Sequence, residues 1–297
     1  MDGMGLPLDD AVAGLRRAIG GAVFSRIAGD DGQAERRRLR AVPDGAERWF
    51  EPGSPITVVH GDAAMLIGGL SALLLQSLHP LAMAGVDQHS DFRSDPWGRL
   101  ARTSRFLAVT TYGTAGDARR QVAAVRSVHR RVTGNAPDGR PYAASDPHLL
   151  TWVHVCEVTS FLQAHARYGA SPLDATAADE YVAQTGRVAT ALGAEHVPST
   201  VAELHARLDA YRPELAGTPA ARAAARYLVL DPPLPVAARP AYVPIAAAAV
   251  ALLPRWARWP LRLPWLPVTE ATLGRLAGES VTRVIRWALP AAPGVAG

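Results

Sequence analysis

The sequence predicts an all-α protein, and three observations support this fold class. Helix-capping residues recur along the chain, and apolar or amphipathic runs follow them. The alternation of apolar and polar residues that is typical of strands is almost absent, and only PITVV at 55–59 has the composition of a strand. With 48% hydrophobic and 20% charged residues, the 297-residue chain can bury a sizeable core. We therefore expect a single helical domain over residues 1–297.

Each predicted helix is bounded by recognisable start and stop signals. Asp62 precedes an apolar run that Pro80 ends or kinks, and Asp95 with Pro96 forms an N-cap followed by a first-turn proline. Thr200 and Glu203 form a capping-box pattern. The predicted helices are Asp62 to about Leu78, Asp95 to Gly113, Asp117 to Gly134, Asp146 to Gly169, a helix from Thr200, and the amphipathic run 268–289.

Segments rich in proline, glycine or alanine separate these helices. The clearest are 133–147, 230–244 and 290–297, and none is long enough to separate independent domains. The region from about residue 232 to 297 is also rich in tryptophan and arginine, and we expect it to form a C-terminal appendage on the helical domain.

The composition excludes several classes of function. All 31 basic residues are arginine, so the chain has neither a Schiff-base lysine nor the lysine of a phosphate-binding loop. The net charge is only +4 and the arginines are interspersed with acids, which argues against binding of nucleic acid. The single Cys156 excludes an intramolecular disulfide and a cysteine-based zinc or iron–sulfur site.

The sequence also predicts where the protein resides. The N-terminus lacks a basic segment followed by an apolar one, and the longest uncharged apolar run, 63–75, is shorter than the ~20 residues of a membrane span. We therefore expect a cytoplasmic protein.

Tryptophan and arginine alternate within residues 254–267, which allows two interpretations. The favoured one is a proline-broken loop whose tryptophan rings pack on the core; the other is contact with a membrane surface. The residues concerned are Trp256, Trp259, Trp265, Arg255, Arg258 and Arg262.

The segment DARRQVAAVRSVHRRVTG contains the most informative histidine. On a helix, Ala118, Val122, Val125, His129 and Val132 share one stripe, while the five arginines of the segment fall mostly elsewhere. His129 therefore faces inward. An inward histidine is either a hydrogen-bonded core residue or a ligand or catalytic group, and periodicity leaves both open.

The preceding predicted helix places an arginine on an inward face. Arg99 and Thr103 lie four residues apart and share a face with Phe106 and Thr110. A buried guanidinium needs an anion, which is either a carboxylate of the protein or an acidic group of a bound molecule.

Several ordered motifs resemble one known family. They are LLLQSLHPLAMAGVDQHSDFRSDPWGRLARTSRFLAVTTYG at 73–113, VRSVHRRVTG at 125–134 and DGRPYAASDPHLLTWVH at 138–154. Together they are similar to the catalytic domain of the MpaB and rubber-oxygenase (latex clearing protein) family. The resemblance covers residues 55–170 well, and the C-terminal LLPRWARWPLRLPW is more weakly similar.

This resemblance implies a globin-like helical core that holds one haem b. His129 matches the proximal iron ligand, and Arg99 and Thr103 match an arginine and a threonine near the haem; Arg102 and Phe106 lie on the same helix as candidate cofactor contacts. The implied activity is that of an oxidoreductase, an oxygenase that uses dioxygen on a hydrophobic, isoprenoid-like substrate. A haem with one protein ligand leaves a sixth position for dioxygen.

The sequence departs from the family at two places. A rubber oxygenase can have a distal lysine between that arginine and threonine, but Arg102 occupies this position and a guanidinium does not lose its proton to bind iron. The family's acidic base has no clear counterpart, and Asp87, His89 and Asp91 are the candidates nearby. For His89 and Asp91 a hydrogen-bonded turn is the favoured alternative.

Other polar residues have two interpretations each. His79 either caps the helix break at Pro80 or lines the distal pocket. For His154 and Glu157, one turn apart, a buried pair that joins helices is favoured over a second metal site, and Cys156 is expected in the core.

Two other functions compete with the oxygenase. A di-iron carboxylate bundle would require Glu-x-x-His pairs, which the sequence does not supply. A haem protein that senses, stores or carries without turnover would use the same ligands as the oxygenase, so the sequence does not separate these two.

Overall fold

The structure, a computed structural model, describes residues 31–90 and 94–289 together with isolated positions between 13 and 29. Throughout these residues the fold is helical, apart from one antiparallel pair of three-residue strands, β1 (Thr133–Asn135) and β2 (Pro141–Ala143). The all-α prediction is confirmed.

The helices follow one another with short connections, and several of them begin at proline. In chain order they are α1 (Gly32–Arg40), α2 (Pro55–Gly61), α3 (Met65–Gln76), α4 (Pro80–His89), α5 (Pro96–Tyr112), α6 (Ala115–His129), α7 (Pro147–Tyr168), α8 (Ala175–Leu192), α9 (Val201–Tyr211), α10 (Pro219–Leu230), α11 (Arg239–Leu252), α12 (Arg255–Arg258), α13 (Pro267–Thr269) and α14 (Arg275–Ala288). Short 3-10 turns at Arg212–Glu214 and Val236–Ala238 and a π-helical segment at Glu270–Gly274 lie between them.

Most of the predicted helix starts are correct because they depend on local chemistry. Asp95, Asp146 and Thr200 each accept a hydrogen bond from a backbone N–H of the first turn, at 2.9, 2.9 and 3.2 Å. Pro96 and Pro147 occupy the first helical position of α5 and α7, where a missing N–H costs nothing.

The predicted start of α6 at Asp117 is wrong by three residues. Thr114 is the N-cap: its hydroxyl accepts from the Asp117 backbone N–H at 3.1 Å and donates to the Asp117 carboxylate at 2.8 Å. Asp117 therefore acts from inside the first turn, where its carboxylate accepts a hydrogen bond from the N-cap hydroxyl. The helix also ends at His129 rather than near Gly134, because the chain enters β1 there.

PITVV forms helix α2, not the strand that its composition suggests. Pro55 stands at the first helical position, and Ile56 and Val59 are fully buried on one face. The Thr57 hydroxyl bonds back to the Ser54 carbonyl at 2.8 Å. The burial of this face against other helices outweighs the weak strand preference of β-branched residues.

One carboxylate holds three distant parts of the chain together. Asp62 lies at the break between α2 and α3, where the chain bends by 92°, and it accepts from the Ala64 N–H at 2.7 Å. It also accepts from the Ala170 N–H, just beyond α7, at 3.0 Å, and from the Arg286 guanidinium of α14 at 2.9 Å. The predicted N-cap at Asp62 is therefore wrong, because α3 begins at Met65 with Ala64 as its N-cap. Asp62 instead holds the turn between α2 and α3 and makes tertiary contacts.

The core forms around α7. Trp152 of α7 is fully buried, and its indole N–H donates to the Gln76 carbonyl of α3 at 3.1 Å. The C-terminal region, expected to form an appendage, contributes Val250 and Leu253 to the same core, and Ala248 and Ala249 of α11 pack with Ile67 of α3 in a second cluster. The C-terminal helices therefore bury the back of α3.

The interior of α7 contains ionisable groups. Burial lowers the pKa of His154 to about 4 and raises the pKa of Glu157 to about 7, and the Glu157 carboxyl bonds to the Gln76 side chain. The predicted His154–Glu157 pair does not form, since His154 Nε2 is buried with no partner in the part of the chain that the structure describes. Cys156 is fully buried, as expected.

Within residues 31–90 and 94–289, and at the isolated positions before them, no single helix has the length and apolarity to cross a membrane. Helices α2 and α3, which are bent relative to each other, reach the required length and apolarity only when they are counted as one segment.

The Asp62 contacts predict a large effect on stability. Asp62→Ala leaves a guanidinium and two backbone N–H groups without their acceptor, so we expect the free energy of unfolding to fall by about 2–4 kcal/mol in urea titrations followed by circular dichroism. The matched control is Asp231→Ala, which removes an exposed ion pair with Arg239 (3.3 Å) and should change stability by less than about 1 kcal/mol. Equal losses in the two variants would contradict the role of Asp62.

Glu157 predicts a pH dependence of stability. Its pKa of about 7 lies above the ordinary value of 4.5, so between these values the folded protein keeps a proton that the unfolded chain releases. Stability should therefore fall as pH rises through this window. Glu157→Gln removes this cost, and we expect the variant to be more stable than wild type by about 1–3 kcal/mol at pH 8, with the difference lost near pH 4. Urea titrations at both pH values measure it, and the same gain in the exposed control Glu51→Gln would contradict it.

Candidate functional site

His129 is the last residue of α6, and its ring is partly buried. Nδ1 is buried with no hydrogen-bond partner, and no hydrogen bond joins the ring to any residue that the structure describes. Burial lowers the pKa of His129, which favours the neutral imidazole. The described residues therefore do not support the alternative that His129 is a hydrogen-bonded core residue. A neutral ring with an unused nitrogen is the form that binds a metal.

The inward stripe of α6 forms as predicted over most of its length. Ala118 and Val122 are buried, and Val125 and His129 are partly buried. Val132 lies beyond the end of the helix. The arginines of the segment are all exposed: Arg119, Arg120, Arg126, Arg130 and Arg131.

Arg99 is partly buried near the start of α5. Its Nη1 donates to the Ser90 hydroxyl at 2.8 Å, and within the described residues it forms no ion pair with a carboxylate. Burial, together with the charge of Arg102, lowers its pKa. Of the two anion sources expected for Arg99, the protein carboxylate is therefore missing from this part of the chain.

The remaining predicted residues of α5 are more exposed than the helical stripe suggests. Thr103 is exposed, and its hydroxyl bonds to the Arg99 carbonyl at 3.1 Å, so its predicted inward position is wrong. Arg102 is exposed and pairs with Asp95 at 3.3 Å. Phe106 is partly buried. On α5 only the last turn, residues 109–112, is fully buried. Helical periodicity therefore predicted too much burial for the residues nearer the N-terminus.

His89 ties the end of α4 to the small sheet. It is exposed, and its Nε2 lies 3.1 Å from the Thr133 carbonyl oxygen, consistent with the favoured structural interpretation. Asp87 is exposed on the same helix. Asp91, the third candidate base, lies outside the described residues, so the proposed His89–Asp91 turn stays a prediction.

His79 is fully buried and occupies the N-cap position of α4, as the capping interpretation expects, although its side chain makes no capping hydrogen bond. Its ring packs against the rings of Trp152 and Tyr211, and its Nε2 lies 3.3 Å from the Glu214 carboxylate. Glu214 is also bonded to His148 at 2.8 Å. Sequence reasoning missed His148 and Glu214, although His148 stands in one of the quoted motifs, SDPHLL.

An open groove of about 450 Å³ lies along α6, but His129 does not line it. Its walls combine apolar side chains with guanidinium groups, and the lining residues are Trp49, Arg119, Val122, Ala123, Arg126, Arg130 and Ala191. Arg126 and Arg130 flank His129 in the sequence, so the groove lies beside the last turn of α6.

The C-terminal segment 254–267 is divided between core and surface. Arg258 is buried and pairs with Glu270 at 2.6 Å, and Trp256 is partly buried. Trp259 is 88% exposed and Trp265 is 47% exposed. The interpretation that all three rings pack on the core is therefore correct for at most one of them.

Comparison with known proteins agrees with the motifs. The chain is 36% identical over 98 residues to two uncharacterised proteins, one from Mycobacterium bovis and one from Mycobacterium tuberculosis; the match covers 33% of this chain and 38% of each relative. No solved structure matches. The profile of the family described as "ER-bound oxygenase mpaB/B'/Rubber oxygenase, catalytic domain" matches residues 57–287, most of the chain. The protein therefore belongs to the MpaB and rubber-oxygenase catalytic-domain family of oxygenases.

Proposed function

We propose that the protein is a haem-b-dependent oxygenase that uses dioxygen to oxidise a hydrophobic, isoprenoid-like substrate. Membership of the oxygenase family supports the reaction class. The observation that carries the haem assignment is the His129 ring, which is partly buried, has a lowered pKa and lacks a hydrogen-bond partner in the described part of the chain.

The residues of α6 fit a haem ligand at this position. A metal ligand must be the neutral imidazole, and burial disfavours the protonated ring of His129. Its neighbours on the inward stripe, Val122 and Val125, are apolar, as the surroundings of a porphyrin face require. A haem held by one imidazole supplies binding and activation of dioxygen.

Arg99 is suited to hold a haem propionate. Helices α5 and α6 pack against each other and are joined at Gly113 and Thr114. Arg99 precedes Gly113 by 14 residues (113 − 99), and His129 follows Thr114 by 15 (129 − 114). At a rise of 1.5 Å per residue, both lie roughly 21–23 Å from the connection, which supports a position at the same end of the helix pair. Arg99 has no carboxylate partner among the described residues, and such a guanidinium can form a bidentate pair with a propionate.

Arg102 occupies the position of the distal lysine and would not bind the haem iron. Its guanidinium keeps its proton and is paired with Asp95 at the surface. Thr103 and Phe106 remain candidate contacts for substrate or cofactor, Thr103 through a hydroxyl and Phe106 through an apolar ring. His79, His89 and Asp91 stay predictions as catalytic groups.

We also propose contact with a membrane surface through residues 254–267, where an apolar substrate would partition. The exposed side chains there include Trp259, Trp265 and Leu266, the last 55% exposed. Arg255 stacks on Trp265, with 4.3 Å between the guanidinium carbon and the ring centroid, and Arg262 is exposed. Aromatic rings beside arginines match the interface of an anionic bilayer.

The haem assignment is tested by absorption spectroscopy. Protein purified or reconstituted with haem should show a Soret band with one haem per chain, and His129→Ala should lose at least about 90% of it while remaining helical by circular dichroism. His205→Ala, an exposed histidine of α9, is the matched control and should keep the band. Arg99→Leu should release haem roughly tenfold faster than Arg102→Leu, since a charged hydrogen bond contributes about 1.5 kcal/mol. Full retention in His129→Ala would overturn the assignment.

The oxygenase function is tested separately from haem binding. Reduced haem protein is mixed with dioxygen, a defined reductant and a prenylated lipid, and products are analysed by mass spectrometry. An oxygenated product formed by wild type and absent in His129→Ala supports the proposal. A dioxygen complex that decays only by slow autoxidation, with no product, would favour the carrier alternative.

The membrane proposal predicts binding to vesicles that contain anionic lipid. Trp259→Ser removes the most exposed ring of the segment and should weaken co-sedimentation several-fold, because a tryptophan contributes on the order of 1–2 kcal/mol at an interface. Leu230→Ser, a side chain 69% exposed elsewhere, is the control and should bind as wild type does. Equal binding of wild type and Trp259→Ser would contradict the proposal.

A further inference from the structure

We propose a second metal centre, separate from the haem site, in which His79, His148 and Glu214 bind one Zn²⁺ ion. One ligand atom from each residue lies within 4.8 Å of the other two. The Glu214 carboxylate oxygen Oε2 stands between the imidazoles, 2.8 Å from His148 Nε2 and 3.3 Å from His79 Nε2.

These separations match the ligand spacing around one zinc ion. Zinc binds imidazole nitrogen and carboxylate oxygen at about 2.0–2.2 Å, so neighbouring ligand atoms stand roughly 2.9–3.5 Å apart for octahedral to tetrahedral angles. The two observed distances lie within about 0.1 Å of that range. The ligand nitrogens of His79 and His148 lie within 4.8 Å of each other, so zinc binding requires them to approach by at most about 1.3 Å.

The surroundings hold the two imidazoles in place. His79 is 1% exposed and packs against Trp152 and Tyr211, and it directly precedes the proline that starts α4. His148 stands in the first turn of α7, where its ring lies on that of Tyr211 with 4.7 Å between centroids. The Tyr211 hydroxyl also donates to the His148 carbonyl at 2.8 Å. Packing of this kind preorganises ligands and lowers the entropy lost on binding.

The donor set selects the class of metal. Two imidazoles and one carboxylate suit zinc and similar divalent transition ions, whereas calcium and magnesium prefer oxygen ligands. The His148 and Glu214 side chains are 51% and 42% exposed, so an ion can enter from solvent and water can complete its coordination. Three protein ligands with an open position are the pattern of exchangeable zinc sites.

The charges around the cluster favour a cation. The Glu214 carboxylate faces both imidazoles, at 2.8 Å from His148 and 3.3 Å from His79, and supplies an acidic group to the cluster. The nearby cations in the described chain include Arg140 and Arg212, which pair with Asp138 at 2.7 Å and Asp209 at 3.7 Å.

This centre is independent of His129. Its ligands come from the starts of α4 and α7 and from the turn after α9, whereas His129 ends α6. Loss of one metal should therefore leave the other bound.

The test is calorimetric titration of metal-stripped protein with Zn²⁺, with Co²⁺ absorption bands as a second readout. Wild type should bind one Zn²⁺. His148→Ala and Glu214→Gln should each bind at least about 100-fold more weakly, more than the 10- to 100-fold that follows loss of a residue supporting a ligand. His205→Ala, also an exposed histidine, and His129→Ala should bind as wild type does.

Thermal unfolding guards against variants that bind poorly because they misfold. Both ligand variants replace half-exposed side chains, so without metal they should unfold within a few degrees of wild type. Added Zn²⁺ should raise the Tm of wild type and leave that of Glu214→Gln unchanged. Absence of saturable one-to-one binding, or equal affinity in wild type and Glu214→Gln, would overturn the second centre.

Discussion

The partly buried ion pair between Asp62 and Arg286 fixes the arrangement of the long helices. The Asp62 side chain is 7% exposed, so its charge interacts in a medium of low dielectric and must be fully compensated. The compensation comes from Arg286 and from two backbone N–H groups at helix ends. Because Arg286 also donates to the Tyr168 carbonyl, the same guanidinium satisfies the C-terminus of α7. Residues 224 positions apart are thereby held in register.

This constraint at one end of α7 determines what its other end can do. Helix α7 runs from Pro147 to Tyr168, with Trp152 locked against α3. A rigid helix held at its C-terminus and in its second turn presents its first turn in a fixed place, and His148 stands there. The imidazole can then meet the carboxylate of Glu214, which a short 3-10 turn displays after α9. The same helix is thus anchored at its C-terminus and carries a candidate metal ligand in its first turn.

An element could be predicted from the sequence where neighbouring residues determine it, and not where distant parts of the chain determine it. Asp95 and Asp146 were found because a cap needs only the residues beside it. PITVV was assigned wrongly because burial of Ile56 and Val59, which decides its helix, depends on helices far along the chain. The predicted inward position of Thr103 is wrong for a related reason. The periodicity of α5 fixes which face Thr103 shares, but whether that face is buried depends on which other elements pack against it.

The same distinction between local and distant causes separates the residues of the candidate site that the sequence predicts from those that it does not. His129 was identified twice, by its place on an apolar stripe and by its motif, and both signals are contained in fewer than twenty residues. The cluster of His79, His148 and Glu214 has no such signal, because its bonds join residues 135 and 66 positions apart. Only the packing of α4, α7 and α9 brings these side chains together.

Unpartnered histidine nitrogens are not by themselves the mark of a ligand in this protein. His154 and His165 on α7 also have buried ring nitrogens without partners in the described structure, yet they are 7% and 2% exposed and enclosed by the core. His129 differs because it ends a helix and only its Nδ1 is buried, so a planar cofactor can approach Nε2 from outside without opening the packed interior. The histidines within α7 would first require the core to open, at a cost of several buried side chains. Accessibility at a helix end, combined with a neutral ring, is what makes His129 the ligand candidate.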